Sequence, residues 1–551
     1  MKVKAANGLA RILKDEGIPW VSTFPTSGMN NALGEEGIPI IMMRDERYAV
    51  AVADAFSRVT CRKKIGVCTV MGAVNAAGIQ MAYGAVAQAF EDGSPLLCIT
   101  DGVPLASSGN SHYDINLGFK AVTKWIGRID LPQQVPEVMR RAFTYLRSGR
   151  PGPVLITIPR EGFGEYDTDE YPYLPVKGWK WAPDPEDVKA AVKTLLAAKN
   201  PLLYVGEGVF YADATRELLR FAELAQVPVL TTLKGKSAFP ENHPLSVGVR
   251  GELAESFLHN CDLLFAIGSS ISPGRFSHAI PDANHKTIVQ CTVNELDVNK
   301  SYKVDCAVVG DARLTLQALI EELSHQTGGG VKSNQKLISE IKVNKERFLA
   351  RYRAFMESND KPINPYRVYG DLMKTIDLKN SFIIHESGNT RDQISTVYES
   401  VIPRGFLGWG NVSTLGFSLA GVMAAKLAYP ERQCVSITGD AGVGYMIGNL
   451  EALVRYNIGV TIIHINNEGF AGYGPGFWGK GHDPYTYEVS PHSVVDYSEA
   501  VKNMGYYTDN ISEPAEIIPA LKRAFSENAK NRPAYLEFIC CKYPVYGRWV
   551  T

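Results

Sequence analysis

The chain has 551 residues, of which 45% are hydrophobic and 21% are charged, and its formal net charge is -1. This length exceeds one ordinary hydrophobic core and predicts three or four domains, and the composition is typical of a globular protein. The near-neutral charge gives no reason to expect nucleic acid or an anionic membrane as a partner.

The amino-terminal segment and the cysteines bear on the compartment. The first twenty residues carry acidic side chains and lack the apolar stretch of a secretory signal, and no long apolar run that could span a membrane follows. The nine cysteines are scattered and include no CxxC pair. We therefore expect a cytoplasmic protein with buried free thiols and no membrane span.

Short apolar runs alternate with helix-length amphipathic segments, and this rhythm favours parallel sheets covered by helices. It restarts twice, after residues 161–185, which are rich in Pro, Tyr and charge, and after residues 327–336, which are rich in Gly, Ser and Lys. We predict three α/β domains with doubly wound parallel sheets, spanning residues 1–170, 185–330 and 362–551.

Each predicted strand is a short apolar run bounded by turn residues. In the first block the strands are residues 19–24, 38–43, 63–70, 95–100 and 152–159, with a helix at 45–58. In the second block helices 184–199, 212–226 and 314–326 alternate with strands 201–206, 227–232, 263–268 and 287–293. In the third block the strands are residues 381–387, 433–438, 460–466 and 534–540.

The segment from residue 435 to residue 470 contains two polar turns. Gly439-Asp440-Ala441-Gly442 follows one buried strand, a helix is predicted through Val454, and Asn466-Asn467-Glu468-Gly469 follows the next strand. Both turns therefore lie at the carboxyl ends of parallel strands, where open α/β sheets bind ligands.

The chemistry of these turns suits a metal and a phosphate. Asp440 offers a carboxylate, Asn467 an amide oxygen and Gly469 a main-chain carbonyl, which are oxygen ligands of the kind that Mg²⁺ prefers. Backbone amides after Asp440, near a helix N-terminus, can donate to phosphate oxygens. The structural alternative is an ordinary βαβ unit whose Gly-Asp turn caps a helix.

This segment resembles the GDG…NN diphosphate-binding motif of the thiamine-diphosphate-dependent decarboxylase, acetolactate synthase and 2-hydroxyacyl-CoA lyase superfamily. Asp440 and Asn467 are 27 positions apart. The resemblance implies thiamine diphosphate held through Mg²⁺, with Asp440, Asn467 and Gly469 as metal ligands. The family usually has Gly where this chain has Ala441; Ala lacks the freedom of Gly at positive φ, and Gly442 is expected to compensate.

The resemblance extends over the whole chain and implies a pyrimidine-binding first domain, a Rossmann-like central domain and a diphosphate-binding third domain. The stretch MMRDERYAVAVADAFSRVT is similar to the family's acidic helix start followed by A-D-G-Y/F-A/S-R. Glu46 aligns with the glutamate that activates the cofactor's aminopyrimidine ring, and partial burial would raise its pKa. The alternative is a solvated helix residue beside Arg44 and Arg47.

Further cofactor contacts follow by resemblance. Leu415 in NVSTLGFSLAG matches the bulky apolar residue that bends the cofactor, and the carbonyl of Ser413 would accept from its amino group. Gly388, Asn389 and Thr390 match a second diphosphate-contacting turn. The structural alternatives are a core leucine, buried like a cofactor-contacting one, and a simple strand-end loop.

Two stretches are candidates for choosing the substrate. His112, Tyr113 and Asp114 follow the GxVP turn and offer proton donors and acceptors, although such a loop is also typical of plain surface. Residues 469–487 place glycines among aromatics, as in an active-site lid, with a surface loop as the alternative. Their candidate substrate contacts are Trp478, Lys480 and His482.

The resemblance implies a homo-oligomer, a dimer or tetramer, whose site takes Glu46 from one subunit and Asp440 from another. It implies decarboxylation or carboligation of a 2-keto acid. A 2-hydroxyacyl-CoA lyase or oxalyl-CoA decarboxylase-like enzyme with an acyl-CoA substrate stays open as an alternative. So does an acetolactate synthase, although the Phe-Gln-Glu patch of that group is absent. A non-catalytic cofactor-binding member is the last alternative, and the presence of Glu46 argues against it.

Overall fold

The fold is described from a computed structural model of the chain. The description covers residues 1–25, 27–72, 77–106, 113–274, 276–412, 414–469, 492 and 494–550.

The apolar runs of the first block form a sheet whose central strands are buried along their whole length, as expected when helices cover both faces. The strands are β1 (Lys2–Lys4), β2 (Val21–Thr23), β3 (Ile40–Met42), β4 (Gly66–Val70), β5 (Leu96–Asp101), β6 (Trp125–Arg128), β7 (Val154–Ile158) and β8 (Glu165–Asp167). The helices are α1 (Ala5–Asp15), α2 (Ser27–Glu35), α3 (Glu46–Val59), α4 (Gly78–Glu91), α5 (Ile115–Phe119) and α6 (Val135–Arg147). Among the described residues, six strands pair in parallel in the order β3-β2-β4-β5-β7-β6.

The central block builds a second parallel sheet. Its strands are β9 (Pro201–Val205), β10 (Val229–Thr231), β11 (Ser246–Gly248), β12 (Leu263–Ile267), β13 (Thr287–Thr292) and β14 (Cys306–Val309). Its helices are α7 (Pro185–Ala197), α8 (Gly208–Tyr211), α9 (Thr215–Ala225), α10 (Glu252–Asn260) and α11 (Ala312–Thr327), and α12 (Gln335–Met356) follows. In the described part of this block the strand order is β11-β10-β9-β12-β13-β14.

The last block builds the third parallel sheet. Its strands are β15 (Ser381–His385), β16 (Phe406–Leu407), β17 (Gln433–Gly439), β18 (Thr461–Asn466), β19 (Tyr507–Ile511) and β20 (Ala534–Ile539). The helices are α13 (Pro365–Thr375), α14 (Asn389–Val397), α15 (Phe417–Ala428), α16 (Asp440–Met446), α17 (Glu451–Arg455), α18 (Tyr497–Lys502) and α19 (Ile517–Asn528). The described strands are ordered β16-β15-β17-β18-β20-β19, so the order in which successive strands are added across the sheet reverses between β15 and β17.

These parallel sheets flanked by helices confirm the α/β prediction, while the domain boundaries stay predictions. The chain divides into two compact units. The first consists of Met1–Trp179, Asn411–Pro430 and Met446–Tyr456, and the second of Lys180–Gly410, Glu431–Tyr445 and Asn457–Thr551. Among the described residues, no helix is long and apolar enough to cross a membrane.

Two local predictions were wrong. The stretch 161–185, predicted as a linker, contains β8, which pairs antiparallel with β1 and fixes the start of the chain. The helix predicted to follow the turn at residues 439–442 through Val454 begins earlier, at Asp440, and is interrupted by a 3₁₀ turn at Ile447–Asn449. The side chain of Asn449 explains the break, because it donates to Oδ2 of Asp45 at 2.5 Å and accepts from the backbone of Arg44 at 3.0 Å.

Candidate functional site

Three loops meet at the carboxyl edge of the third sheet. Residues 386–390 follow β15, residues 440–442 follow β17 and residues 467–469 follow β18, and these strands are neighbours. The first two loops flank the point where the strand order reverses, which is where doubly wound sheets bind ligands. They lie against each other, since a Cβ placed on Gly439 would be 3.7 Å from Cγ2 of Thr390.

The predicted metal ligands lie together at this edge. Asp440 is buried at 3% exposure, and its Oδ2 accepts from the backbone amide of Asn467 at 3.3 Å. The side-chain amide of Asn467 places one terminal atom 3.1 Å from that Oδ2 and 2.9 Å from the carbonyl oxygen of Gly469. If this terminal atom is the amide nitrogen, it donates to both oxygens. If it is the amide oxygen, three oxygens converge, and only a cation between them makes the arrangement favourable.

The spacing fits magnesium. An octahedral Mg²⁺ with ligands at about 2.1 Å places neighbouring oxygens about 3.0 Å apart. The distances of 3.1 and 2.9 Å around the Asn467 amide match this value, and they equally match N–H···O hydrogen bonds from the amide nitrogen, so in either orientation of the amide the three groups lie within one coordination sphere. One carboxylate, one amide oxygen and one main-chain carbonyl leave further positions for phosphate oxygens and water, which Mg²⁺ commonly retains.

The turn before α14 fits a diphosphate group. Gly388 has a φ of +80°, and α14 begins at the next residue, so its first amides have no partner within the helix. The Nδ2 atom of Asn389 is buried and has no hydrogen-bond partner among the described residues. Thr390 is buried, and its hydroxyl donates to the Ser387 carbonyl at 3.1 Å, which closes the turn. A buried N–H donor without an acceptor is suited to an anionic ligand.

The departure at Ala441 has a simple structural account. Ala441 lies in the first turn of α16 and does not have a positive φ, so the freedom of glycine is not needed there. Gly442 is the constrained position, because a Cβ would lie 2.5 Å from Oγ1 of Thr438 and 2.8 Å from Cγ of Glu386. Glycine is thus required by close packing one residue later.

Glu46 belongs to the first unit, at the first position of α3. Asp45 caps the helix by accepting from the backbone amide of Tyr48 at 2.7 Å. Glu46 is 6% exposed, and burial raises the pKa of its carboxyl, with the nearby charge of Asp45 adding to the effect. The two neighbouring arginines are engaged elsewhere, Arg44 with Glu451 at 2.7 Å and Arg47 with the Leu415 carbonyl. A carboxyl in this setting is suited to holding a proton.

The helix that carries Glu46 is fixed by buried charge. Arg58 is fully buried at the other end of α3, with its guanidinium 3.6 Å from the Asp54 carboxylate and 3.3 Å from that of Asp92. It also lies over the ring of Phe417 in α15, at 5.1 Å from the centroid. These contacts hold α3 against its neighbours and thereby fix the position of Glu46.

Leu415 differs from the expectation. Burial was predicted under either interpretation, but the residue is only half-buried, directly before the Gly416 turn that leads into α15. Its backbone carbonyl is held by Arg47, so the main chain is positioned while the side chain stays outside the hydrophobic core. That placement leaves the side chain available to a ligand.

Tyr113 and Asp114 lie beside a cavity of ≈ 260 Å³ in the first unit, lined also by Pro104, Asn116 and Arg128. Asp114 caps α5 by accepting from the backbone amide of Leu117 at 2.9 Å, a structural role in its own right. Tyr113 is 38% exposed, and partial burial raises its pKa. A catalytic role for this pair stays a prediction.

Several predicted residues lie outside the described part of the chain, namely His112, Ser413, Trp478, Lys480 and His482. The carboxyl-terminal tail is described through Val550 and packs on the central block. Its Gly547 carbonyl accepts from Nε of Arg250 at 2.5 Å, and the Val550 amide donates to Nδ1 of His278 at 3.1 Å.

Sequence reasoning missed two residues at this edge. Glu386 follows β15, is 1% exposed and packs against Gly442. His464, in the middle of β18, is fully buried with Nε2 3.2 Å from Oδ1 of Asp440. Each is a polar residue within or directly after an apolar strand, and that feature alone indicates only a buried position.

Comparison with known proteins identifies the family. Three family models match the chain: the N-terminal thiamine pyrophosphate (TPP) binding domain of thiamine pyrophosphate enzymes at residues 3–123, their central domain at 188–319 and their C-terminal TPP binding domain at 386–538. The chain therefore belongs to the thiamine pyrophosphate-dependent enzymes, and the third match contains all three predicted metal ligands.

The curated relatives share nearly the full length. A probable acetolactate synthase large subunit of Methanocaldococcus jannaschii is 30% identical, covering 96% of this chain and 90% of the relative. The glyoxylate carboligase of Escherichia coli O157:H7 is 27% identical, covering 98% and 93%. Acetolactate synthase isozyme 3 large subunit of Escherichia coli (strain K12) is 25% identical, covering 97% and 94%. The chain is thus a thiamine diphosphate-dependent enzyme of the carboligase or lyase type.

Proposed function

We propose that this enzyme forms or breaks a carbon–carbon bond next to the carbonyl of a 2-keto acid, by carboligation or decarboxylation, and that it uses Mg²⁺ together with thiamine diphosphate. The observation that carries the proposal is the convergence of Asp440, Asn467 and Gly469 at the edge of the third sheet, with distances of 3.1 and 2.9 Å around the amide. The substrate class follows the relatives, which are named as acetolactate synthases and a glyoxylate carboligase.

The residues of the site have separate roles in this proposal. Asp440, Asn467 and Gly469 would hold the cation, while the amides after Asp440 and the Nδ2 of Asn389, which has no partner among the described residues, would donate to the diphosphate. When bound, thiamine diphosphate supplies the carbon nucleophile and the electron sink for the reaction. Glu46 would hold a proton at its buried carboxyl for exchange with the aminopyrimidine ring, and the raised pKa of that carboxyl supports this role.

A substrate screen tests the proposal. The protein is supplied with thiamine diphosphate and Mg²⁺, and carbon dioxide release from pyruvate and glyoxylate is followed together with the appearance of ligated products. Cleavage of 2-hydroxyacyl-CoA esters is measured in parallel, and Glu46→Gln serves as the matched inactive control. Turnover of a keto acid by the parent alone supports the proposal. Cleavage of the CoA esters alone, or equal turnover by the variant, contradicts it.

The assembly and compartment belong to the same proposal. The functional form is a homodimer or homotetramer in which Glu46 of one subunit and Asp440 of another complete each site, and light scattering gives its mass. All nine cysteines are free thiols, six of them buried, which suits the reducing cytoplasm.

A further inference from the structure

The buried imidazole of His464 makes two hydrogen bonds within the third sheet. Its Nε2 lies 3.2 Å from Oδ1 of Asp440, and its Nδ1 lies 2.7 Å from the hydroxyl of Tyr535. The three residues come from α16, β18 and β20, and each is 3% exposed or less. A polar ring placed in such surroundings needs partners on both nitrogens, and it has them.

The partners assign the proton on the ring. An ionised carboxylate only accepts hydrogen bonds, so the Nε2 of His464 donates to Asp440. Nδ1 is then the acceptor, and the Tyr535 hydroxyl donates to it. Burial raises the pKa of Tyr535 well above its ordinary value, so that hydroxyl keeps its proton. In the neutral imidazole both hydrogen bonds therefore run from Tyr535 through His464 to Asp440. The Glu537 carboxylate, 4.0 Å from Nδ1, already accepts from Asn466 and Ser498.

The two carboxylate oxygens of Asp440 consequently have different neighbours. Oδ1 is held by His464, while Oδ2 accepts from the Asn467 amide and faces the side chain of that residue. Rotation of the carboxylate would break both contacts. The imidazole thus holds the carboxylate in the orientation that presents Oδ2 to the converging oxygens.

We propose that His464, oriented by Tyr535, is a positioning residue that fixes the Asp440 carboxylate for the divalent cation. This inference rests on the proposed function, in which Asp440 is a metal ligand. Groups that orient the ligands of a metal are typically worth about 10–100-fold in metal affinity.

Binding of Mn²⁺ in place of Mg²⁺ tests the proposal without any substrate. Free Mn²⁺ is measured by electron paramagnetic resonance as the metal is titrated into the protein with saturating thiamine diphosphate. We expect His464→Leu, which keeps the volume and removes both hydrogen bonds, to weaken Mn²⁺ binding by about 10–100-fold. His464→Gln keeps an N–H donor near the Nε2 position and should restore most of the affinity. Tyr535→Phe should weaken binding by about threefold, because only the orientation of the ring is loosened.

Controls separate positioning from simple packing. Tyr204→Phe removes the hydroxyl of another buried tyrosine, in the central sheet, and should leave Mn²⁺ affinity unchanged. Urea unfolding without cofactor reports the stability of each variant. Parent-like Mn²⁺ affinity in folded His464→Leu overturns the proposal, and if that variant does not fold, parent-like affinity in Tyr535→Phe does so.

The reaction and the positioning role can fail separately. A parent that binds Mn²⁺ tightly but turns over no keto acid contradicts the proposed reaction, while weaker binding in His464→Leu still supports the positioning role. A parent that binds no Mn²⁺ in the presence of thiamine diphosphate overturns the metal assignment and the positioning role together.

Discussion

Replacing Gly442 by Ala puts a methyl group where the structure leaves no space for one. The new carbon would lie 2.5 Å from Oγ1 of Thr438 and 2.8 Å from Cγ of Glu386, so these side chains or the turn must move. Overpacking of this kind typically costs about 1–3 kcal/mol. Ala gains about 0.5–1 kcal/mol over Gly inside a helix. We therefore expect Gly442→Ala to lose about 1 kcal/mol of stability on balance.

Two neighbours in the same helix provide matched controls. A Cβ at Gly444 meets no atom of the described residues within 4 Å, so Gly444→Ala should stabilise the chain by about 0.5–1 kcal/mol. Ala441→Gly should destabilise it by a similar amount, because Ala441 has a right-handed backbone that gains nothing from glycine. The three substitutions differ by one methyl group each and therefore isolate packing from helix propensity.

The assay combines urea unfolding of the cofactor-free protein with titration of thiamine diphosphate in the presence of Mg²⁺. Displacing the turn moves the donors that face the diphosphate, so Gly442→Ala should weaken cofactor binding by about tenfold. Gly444→Ala should bind as the parent does. If Gly442→Ala unfolds at the same urea concentration as the parent and binds the cofactor equally well, the packing argument for this turn is refuted.

Three further predictions concern the other candidate residues. Glu46→Gln should lower the turnover rate by about 10²–10⁴-fold. Because burial raises the pKa of Glu46, its contribution to stability is full below the unfolded-state pKa of about 4.3 and is lost as pH rises through the folded-state pKa. The thermal unfolding temperature of Glu46→Gln should therefore rise relative to that of the parent as the pH increases toward 8. A relative unfolding temperature that falls over this range would contradict the argument. Mixing Glu46→Gln with Asp440→Asn subunits, each inactive alone, should restore about a quarter of the parent activity if each site is shared, and none if it is not. Asp114→Asn should keep the helix cap while Asp114→Ala loses about 1 kcal/mol, and equal activity of Asp114→Asn and parent would assign that residue to capping alone.

The sheets of this protein could be predicted from the hydrophobic pattern of the sequence, since most of the long buried strands are apolar runs that end in turn residues. The interruption at Ile447–Asn449 was not predictable in this way, because apolar spacing continues across it. It depends on hydrogen bonds from Asn449 to residues 44 and 45, about four hundred positions earlier. The pairing of β1 with β8 was hidden for a similar reason, as short strands in a Pro-rich stretch give no periodic signal.

The residues of the candidate site likewise differ in whether the sequence alone predicts them. Asp440, Asn467 and Glu46 stand in spaced motifs, so their chemistry is visible in one sequence. His464 is not, because a single histidine within VTIIHIN indicates only a buried strand position until its neighbours in space are known. Gly442 likewise becomes distinctive only once Glu386, from another strand, is seen against it.

The order of strands in the third sheet has a consequence for synthesis of the chain. β20 lies between β18 and β19, so β19 leaves the ribosome first but has no place in the sheet until β20 arrives. Tyr535, the hydrogen-bond partner of His464, lies in β20 and is synthesised 71 residues after His464. Nascent chains would therefore carry an incomplete third sheet with exposed strand edges from the emergence of its first strands until β20 follows, a state that is prone to aggregation and in which holdase chaperones bind. The insertion of β20 between β18 and β19 thus closes this part of the sheet and gives Nδ1 of His464 its hydrogen-bond partner in one step.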